Sequence, residues 1–131
     1  LIVFNDKEEI LLLNEYTYPI NKYIYQMPSG VVDPGETPME TAQRELLEET
    51  GYTAKKYIPL GFVLQNHRRS LAKSHFYIVK DLTLTSHARE EHEFMEVEWI
   101  SSSKMKKIVK NCGIIHTSSL CAWAIYLNSK V

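Results

Sequence analysis

Glu45, Glu48 and Glu49 fall at i, i+3 and i+4, so a helix through them carries three carboxylates on one face. Like charges at that spacing repel and weaken an isolated helix. A hard divalent cation removes the repulsion, because Mg²⁺ and Mn²⁺ prefer oxygen ligands. Carboxylate-held metal is in turn the chemistry that neutralises and activates phosphates. The competing reading is a charged helix face bathed in solvent.

The residues around the trio make the helix credible and argue against a merely solvated face. Thr37 and Glu40 form a capping-box pattern, with Pro38 at the first helical position, where its missing N–H costs nothing. Met39, Ala42 and Leu46 form a narrow apolar stripe beside the acidic face. Gly51 supplies a left-handed stop. Upstream, Pro28, Gly30, Pro34 and Gly35 mark a rigid loop. The unit is a loop followed by a helix of about four turns.

This stretch resembles the Nudix box, G-x5-E-x7-R-E-U-x-E-E-x-G-U with U aliphatic. Gly30, Glu36, Arg44, Glu45, Leu46, Glu48, Glu49 and Gly51 match it, and Tyr52 at the last apolar position is the one departure. With ordinary residue frequencies such a match arises by chance on the order of 10⁻⁷ times per chain, which decides between the two readings. The resemblance implies an α/β (α+β) sandwich, a mixed β-sheet between helices, with the box as loop and helix. It implies Mg²⁺ as cofactor, or Mn²⁺, held by Glu45 and Glu49 with Glu48 sharing the metals. It adds the main-chain carbonyl of Ser29. Arg44 and Glu36 would hold loop and helix together, and Gly30 would serve through its backbone conformation.

Hydrolysis of a phosphoanhydride also needs a general base. The run Arg89-Glu90-Glu91-His92-Glu93-Phe94-Met95-Glu96 precedes a strand pattern in which Met95, Val97 and Trp99 alternate with Glu96 and Glu98. In ADP-ribose pyrophosphatase-like members a loop here supplies a further metal ligand and a mobile glutamate. The resemblance thus points to Glu93 as ligand and Glu91 as base. His92 competes as base, being easily poised near neutral pH. Glu91, Glu93, Glu48 and Arg44 form the expected catalytic set.

The Met27–Glu36 loop, Gly51–Lys56 and Glu93–Ile100 also resemble that branch. Two departures concern substrate contacts: Thr17 stands where the branch commonly has arginine, and Gln65–Ser70 replaces a Pro-containing loop. His67, Arg68 and Arg69, with Lys73, form a dense basic segment that either binds substrate phosphates or is simply solvated. Tyr16, Tyr18, Tyr23 and Tyr25 either include a base-stacking ring or pack at a sheet edge.

Composition sets the remaining bounds. A chain of 131 residues, 44% hydrophobic and 24% charged, suits one soluble domain, 1–131. It opens on Leu1 rather than Met, so a further N-terminal piece is expected. A net charge of −1 gives no electrostatic case for nucleic acid or an anionic membrane, and no apolar run approaches a membrane span. Cys112 and Cys121 imply no disulfide framework, which makes a cytoplasmic location the default. Neither they nor His75, His87 and His116 show zinc-like spacing, which leaves the histidines core or surface roles.

A hairpin is expected from Leu1–Asn5 and Glu9–Leu13, then strands at Tyr23–Met27, Lys56–Leu64 and His75–Val79. A Lys-rich helix near 103–110 and a last helix over Thr117–Leu127 follow, the latter with Leu120, Trp123, Ala124 and Leu127 inward. The expected partner is a small nucleotide, and the resemblance is compatible with a homodimer. The leading activity is cleavage of a nucleoside diphosphate derivative, ADP-ribose or a nucleotide sugar first. The alternatives are a housecleaning triphosphate pyrophosphohydrolase and a non-catalytic nucleotide-binding module.

Overall fold

The computed structural model describes residues 1–85, 95–114 and 116–130. In chain order the elements are β1 (Ile2–Val3), β2 (Ile10–Thr17), a 3₁₀ turn (Tyr18–Ile20), β3 (Lys22–Gln26), α1 (Pro38–Thr50), β4 (Tyr52–Leu64), β5 (Lys73–Leu84), β6 (Met95–Ile100), α2 (Ser102–Lys110) and α3 (Thr117–Asn128). They form two three-stranded sheets, ordered β1-β5-β4 and β3-β2-β6. The first is mixed, with β1 parallel and β4 antiparallel to β5. The second is antiparallel throughout.

The apolar run Ile10–Leu13 sets the layers. Successive strand residues point to opposite faces, and all four are fully buried, so both faces of β2 must be covered. Leu11 and Leu13 join Val3, Tyr77 and Val79 in a core closed by Ala42 and Leu46 of α1. Ile10 and Leu12 join Ile2, Phe4, Phe76 and Ile78 in a second core closed by Met105 of α2 and Trp123 of α3. Helices thus lie on both sides of the strands, as expected of the α/β sandwich.

The first hairpin differs from expectation. Asn5 Oδ1 accepts from the N–H groups of Lys7 and Glu9, which closes a tight turn. Only Phe4 and Ile10 then bridge. Beyond them β1 pairs with β5, at Ile2–Ile78 and Val3–Val79, and β2 leaves for the other sheet. Strands β4 and β5 each run longer than the pattern indicates, and β4 absorbs a register shift between Pro59 and Gly61, where Gly61 has φ 115°.

Helix α3 is rotated relative to its expected face. Ser119, Ala122 and Trp123 are buried, whereas Ala124 is exposed and Leu127 is 51% exposed. Apolar residues lie on every side of this helix, so periodicity does not select a face. On the inward face Ser119 Oγ accepts the N–H of buried Met27 at 2.9 Å, beside Ala122 and Trp123 in the core. The α2 lysines, Lys104, Lys106, Lys107 and Lys110, are exposed opposite buried Met105, as the pattern indicates.

Candidate active site

The loop-helix unit is built by its caps. Thr37 Oγ1 accepts from the Glu40 N–H, the Glu40 side chain accepts from the Thr37 N–H, and Pro38 opens the helix. Gly51, at φ 74°, ends it in the left-handed conformation. With α1 fixed at both ends, the order of Glu36, Arg44, Glu45, Glu48 and Glu49 along one side is fixed too.

Arg44 is the hub that joins loop to helix. Its Nε donates to Glu36 Oε1 at 2.9 Å and its Nη2 to Glu36 Oε2 at 3.1 Å, a bidentate pair. Nη2 also donates to the Val31 carbonyl at 3.1 Å. Nη1 reaches Glu45 Oε1 at 2.7 Å and Glu48 Oε2 at 3.1 Å. The guanidinium beside Glu36, helped by the Thr41 hydroxyl, holds that carboxyl down at about 2. Glu36 in return keeps the Arg44 guanidinium above its already high range.

Glu49 has the opposite electrostatics. Burial, with the nearby charges of Glu45 and Glu15, raises its pKa to about 8, although the Ser29 N–H donates to Oε2 at 2.9 Å. A buried carboxyl raised this far is a place where a cation would be welcome.

Gly30 contributes by its lack of a side chain. Its φ is not in the left-handed region, contrary to the expectation of a special backbone conformation. A Cβ there would overlap the Glu45 carboxyl, so the glycine gives that carboxylate its room.

Glu45 and Glu49 open onto a cavity of about 740 Å³. The Met27–Val32 loop and Thr41 and Ala42 of α1 form one side. Glu15, Gln26, residues of the β4–β5 hairpin and the start of α3 form the rest. This volume lies within the range of small-molecule sites. Lys73 is the one Lys or Arg among its lining residues, and its Nζ lies 4.6 Å from the centre of the Phe62 ring.

The donor chemistry fits a hard divalent cation: two cavity-facing carboxylates of α1, one of them raised by burial, beside the Ser29 peptide. Among the described residues no group of three His, Cys, Asp or Glu side chains is gathered closely enough to hold an ion unaided. Arg44 Nη1 donates to both Glu45 and Glu48. Glu48 has a side chain 54% exposed and does not line the cavity, so Glu45 and Glu49, the leading pair, face inward and Glu48 lies outside them.

The other expected residues divide. Glu91 and Glu93, and the competing His92, lie outside the described residues. His67, Arg68 and Arg69 are exposed and do not line the cavity. The Gln65 N–H pairs with the Ala72 carbonyl, and the Arg69 N–H with that of Asn66, so the chain turns back and carries the basic residues past the rim. The hairpin instead presents Gln65, Lys73, Ser74 and His75 to the cavity. None of the four tyrosines lines it: Tyr16 packs edge-on to Tyr18 and Tyr23, and the Tyr25 hydroxyl donates to Glu98.

Glu15, Gln26, His116 and Ser118 line the cavity without having stood out in the sequence. They come from β2, β3 and the start of α3, and no local spacing links them. Cys112 and Cys121 are free thiols. Among the described residues no helix is long and apolar enough to cross a membrane.

Comparison with known proteins gives four further findings. The family model described as NUDIX domain matches residues 1–112. The chain is 30% identical over 133 aligned residues to an ADP-ribose pyrophosphatase of Bacillus subtilis (strain 168), covering 99% of this chain and 71% of that one. It is 27% identical over 124 residues to a methanol dehydrogenase activator of Bacillus methanolicus, covering 93% and 67%. Among solved structures, a crystal structure of an ADP compounds hydrolase superposes with a TM-score of 0.82 at 21% identity, covering 96% of this chain and 69% of that one.

Proposed function

The chain belongs to the NUDIX domain family and is a Nudix hydrolase, and from that premise we propose that it cleaves the diphosphate of a nucleoside diphosphate linked to another group, with Mg²⁺ as cofactor. ADP-ribose, split to AMP and ribose 5-phosphate, is the favoured substrate. The observation that carries this reading is the pair Glu45 and Glu49 facing the 740 Å³ cavity beside the Ser29–Gly30 turn. The similarity to the Bacillus subtilis ADP-ribose pyrophosphatase, aligned over 99% of this chain, supports ADP-ribose as the substrate class.

Glu45 and Glu49, with the Ser29 carbonyl, are the residues that would hold the metal, and Glu48 would join them on the outer side. The ion supplies charge neutralisation on the diphosphate oxygens and a lowered pKa for the attacking water. Glu36 fixes Arg44, and Arg44 fixes the orientation of Glu45. Lys73 contributes the cavity's ammonium for a phosphate oxygen, as a point charge. The base is assigned to Glu91, with His92 as competitor, and Glu93 to a further ligand position, on the family resemblance alone. Glu93→Gln should then lower turnover at least about tenfold with folding intact.

The test is a panel of ADP-ribose, ADP- and GDP-sugars, dinucleotides and nucleoside triphosphates, with Mg²⁺ and with Mn²⁺, products separated by chromatography. AMP and ribose 5-phosphate are expected from ADP-ribose. Release of inorganic pyrophosphate from triphosphates alone would replace this reading with the housecleaning one. Nucleotide binding with no turnover would leave a binding module.

A further inference from the structure

His116 caps the start of α3 and lines the cavity, yet nothing in the box chemistry uses it. Its Nδ1 lies 2.9 Å from Ser119 Oγ. Ser119 is 2% exposed, and the same Oγ accepts the Met27 N–H at 2.9 Å. A serine hydroxyl has one hydrogen to donate. With Oγ accepting from Met27, the Ser119 hydrogen can be given to Nδ1. In that arrangement Nδ1 accepts and the ring proton sits on Nε2.

The imidazole is then a neutral donor, and burial, the largest influence on it, lowers its pKa and keeps it neutral. The ring is held by a side chain that is itself tied to the backbone entering the Pro28–Gly30 turn, so its position is coupled to the metal loop. The charge of Glu15 reaches both His116 and Glu49. Glu15 accepts a hydrogen bond from Gln26, and both line the cavity. A wall made of a neutral N–H donor, an amide and a carboxylate suits a polyhydroxylated group. It does not suit a second cluster of phosphates, for which the lining offers one lysine and no arginine.

We propose that His116 is a specificity-determining residue whose Nε2–H donates to an oxygen of the sugar arm attached to the diphosphate, with Ser119 holding the ring in that tautomer. This rests on the reading of the chain as a hydrolase of nucleoside diphosphate derivatives and names the half of the substrate that this wall reads.

The experiment uses the full chain, wild type, His116→Ala and His116→Gln, the last keeping a side-chain N–H. With ADP-ribose, His116→Ala should raise KM about tenfold while kcat falls less. His116→Gln should recover part of that loss. Inhibition by ribose 5-phosphate should weaken in His116→Ala, and inhibition by AMP should not. In ¹⁵N-histidine spectra of the wild type, His116 should show the Nε2–H tautomer and shift on addition of ribose 5-phosphate.

Equal damage in both variants, or equal weakening toward AMP and ribose 5-phosphate, would overturn the proposal and reduce His116 to a structural cap. If the wild type cleaves no ADP-ribose, the substrate reading fails, and the ribose 5-phosphate titration still decides His116. A shift retains the sugar-reading role, and an unmoved resonance ends it. The same titration decides the matter should His116→Ala fail to fold.

Discussion

Gly30 and Glu45 occupy one space: a Cβ on the glycine would overlap Oε1, Cδ and Cγ of the glutamate. The glycine at the head of the box and the first glutamate of the acidic face are thus a steric pair, 15 positions apart in the chain. Glu45 is also held by Arg44 at 2.7 Å, so its placement depends on the guanidinium as well as on the space the glycine leaves.

Gly30→Ala should therefore displace Glu45 and lower activity at least about tenfold. The stability cost should stay near about 1 kcal/mol, because the displaced group is the end of a flexible side chain. Chemical denaturation beside Mg²⁺ titration would check this. A large loss of stability with normal metal affinity in the folded fraction would show that the glycine serves the backbone.

Arg44→Lys should separate charge from geometry. A lysine keeps the positive charge but cannot present a fork to Glu36 while reaching Glu45. Activity should drop about tenfold or more, with little change in thermal midpoint. Wild-type turnover in this variant would mean that the loop is held by other contacts.

Acid should reveal Glu36. Its carboxyl is lowered from 4.5 to about 2 in the folded chain by Arg44 and then Thr41. A lowered folded pKa contributes stability above the unfolded value and loses it as pH falls through the folded one. The contribution should accordingly be present above pH 4.5 and disappear toward pH 2. Glu36→Gln should flatten that part of the stability curve, measured by urea denaturation across the window. An unchanged curve would count against the ion pair.

Glu49 should act with the opposite sign. Burial raises it from 4.5 to about 8 in the metal-free chain. A raised folded pKa favours the folded state most below the unfolded value, and the advantage is lost as pH rises through the folded one. The metal-free chain should lose stability from pH 4.5 through about pH 8, and Mg²⁺ should restore it most at the upper end. Binding near pH 7 should release protons, read by calorimetry in buffers of different ionisation enthalpy. Proton-neutral binding would place the ion away from Glu49.

Lys73 rather than the basic turn should carry phosphate affinity. Lys73→Ala should raise KM about tenfold, the worth of one charge-assisted hydrogen bond. Arg68→Ala and Arg69→Ala, both outside the cavity wall, should change KM less than about twofold. The reverse ranking, in steady-state kinetics, would show that the hairpin folds over bound substrate.

What the sequence determined by itself was local. The capping box at Thr37 and Glu40, the stop at Gly51 and the alignment of Glu45, Glu48 and Glu49 follow from helix geometry over a few turns, and the structure keeps them all. The apolar run ending at Leu13 likewise marked a strand, while its burial on both faces emerged only with the two cores around it. Tertiary structure decided what depends on residues far apart in the chain. It broke the glutamates into an inner pair and an outer one, because Arg44 reaches Glu48 on the solvent side. It set Ser119 of α3 against Met27, 92 positions away, whose buried N–H it accepts. And it gathered Lys73, Glu15 and His116 around one cavity while leaving Arg68 and Arg69 out of its lining. A hydrogen bond or a cavity wall is fixed by where strands end in space, and residue spacing along one segment holds no record of it.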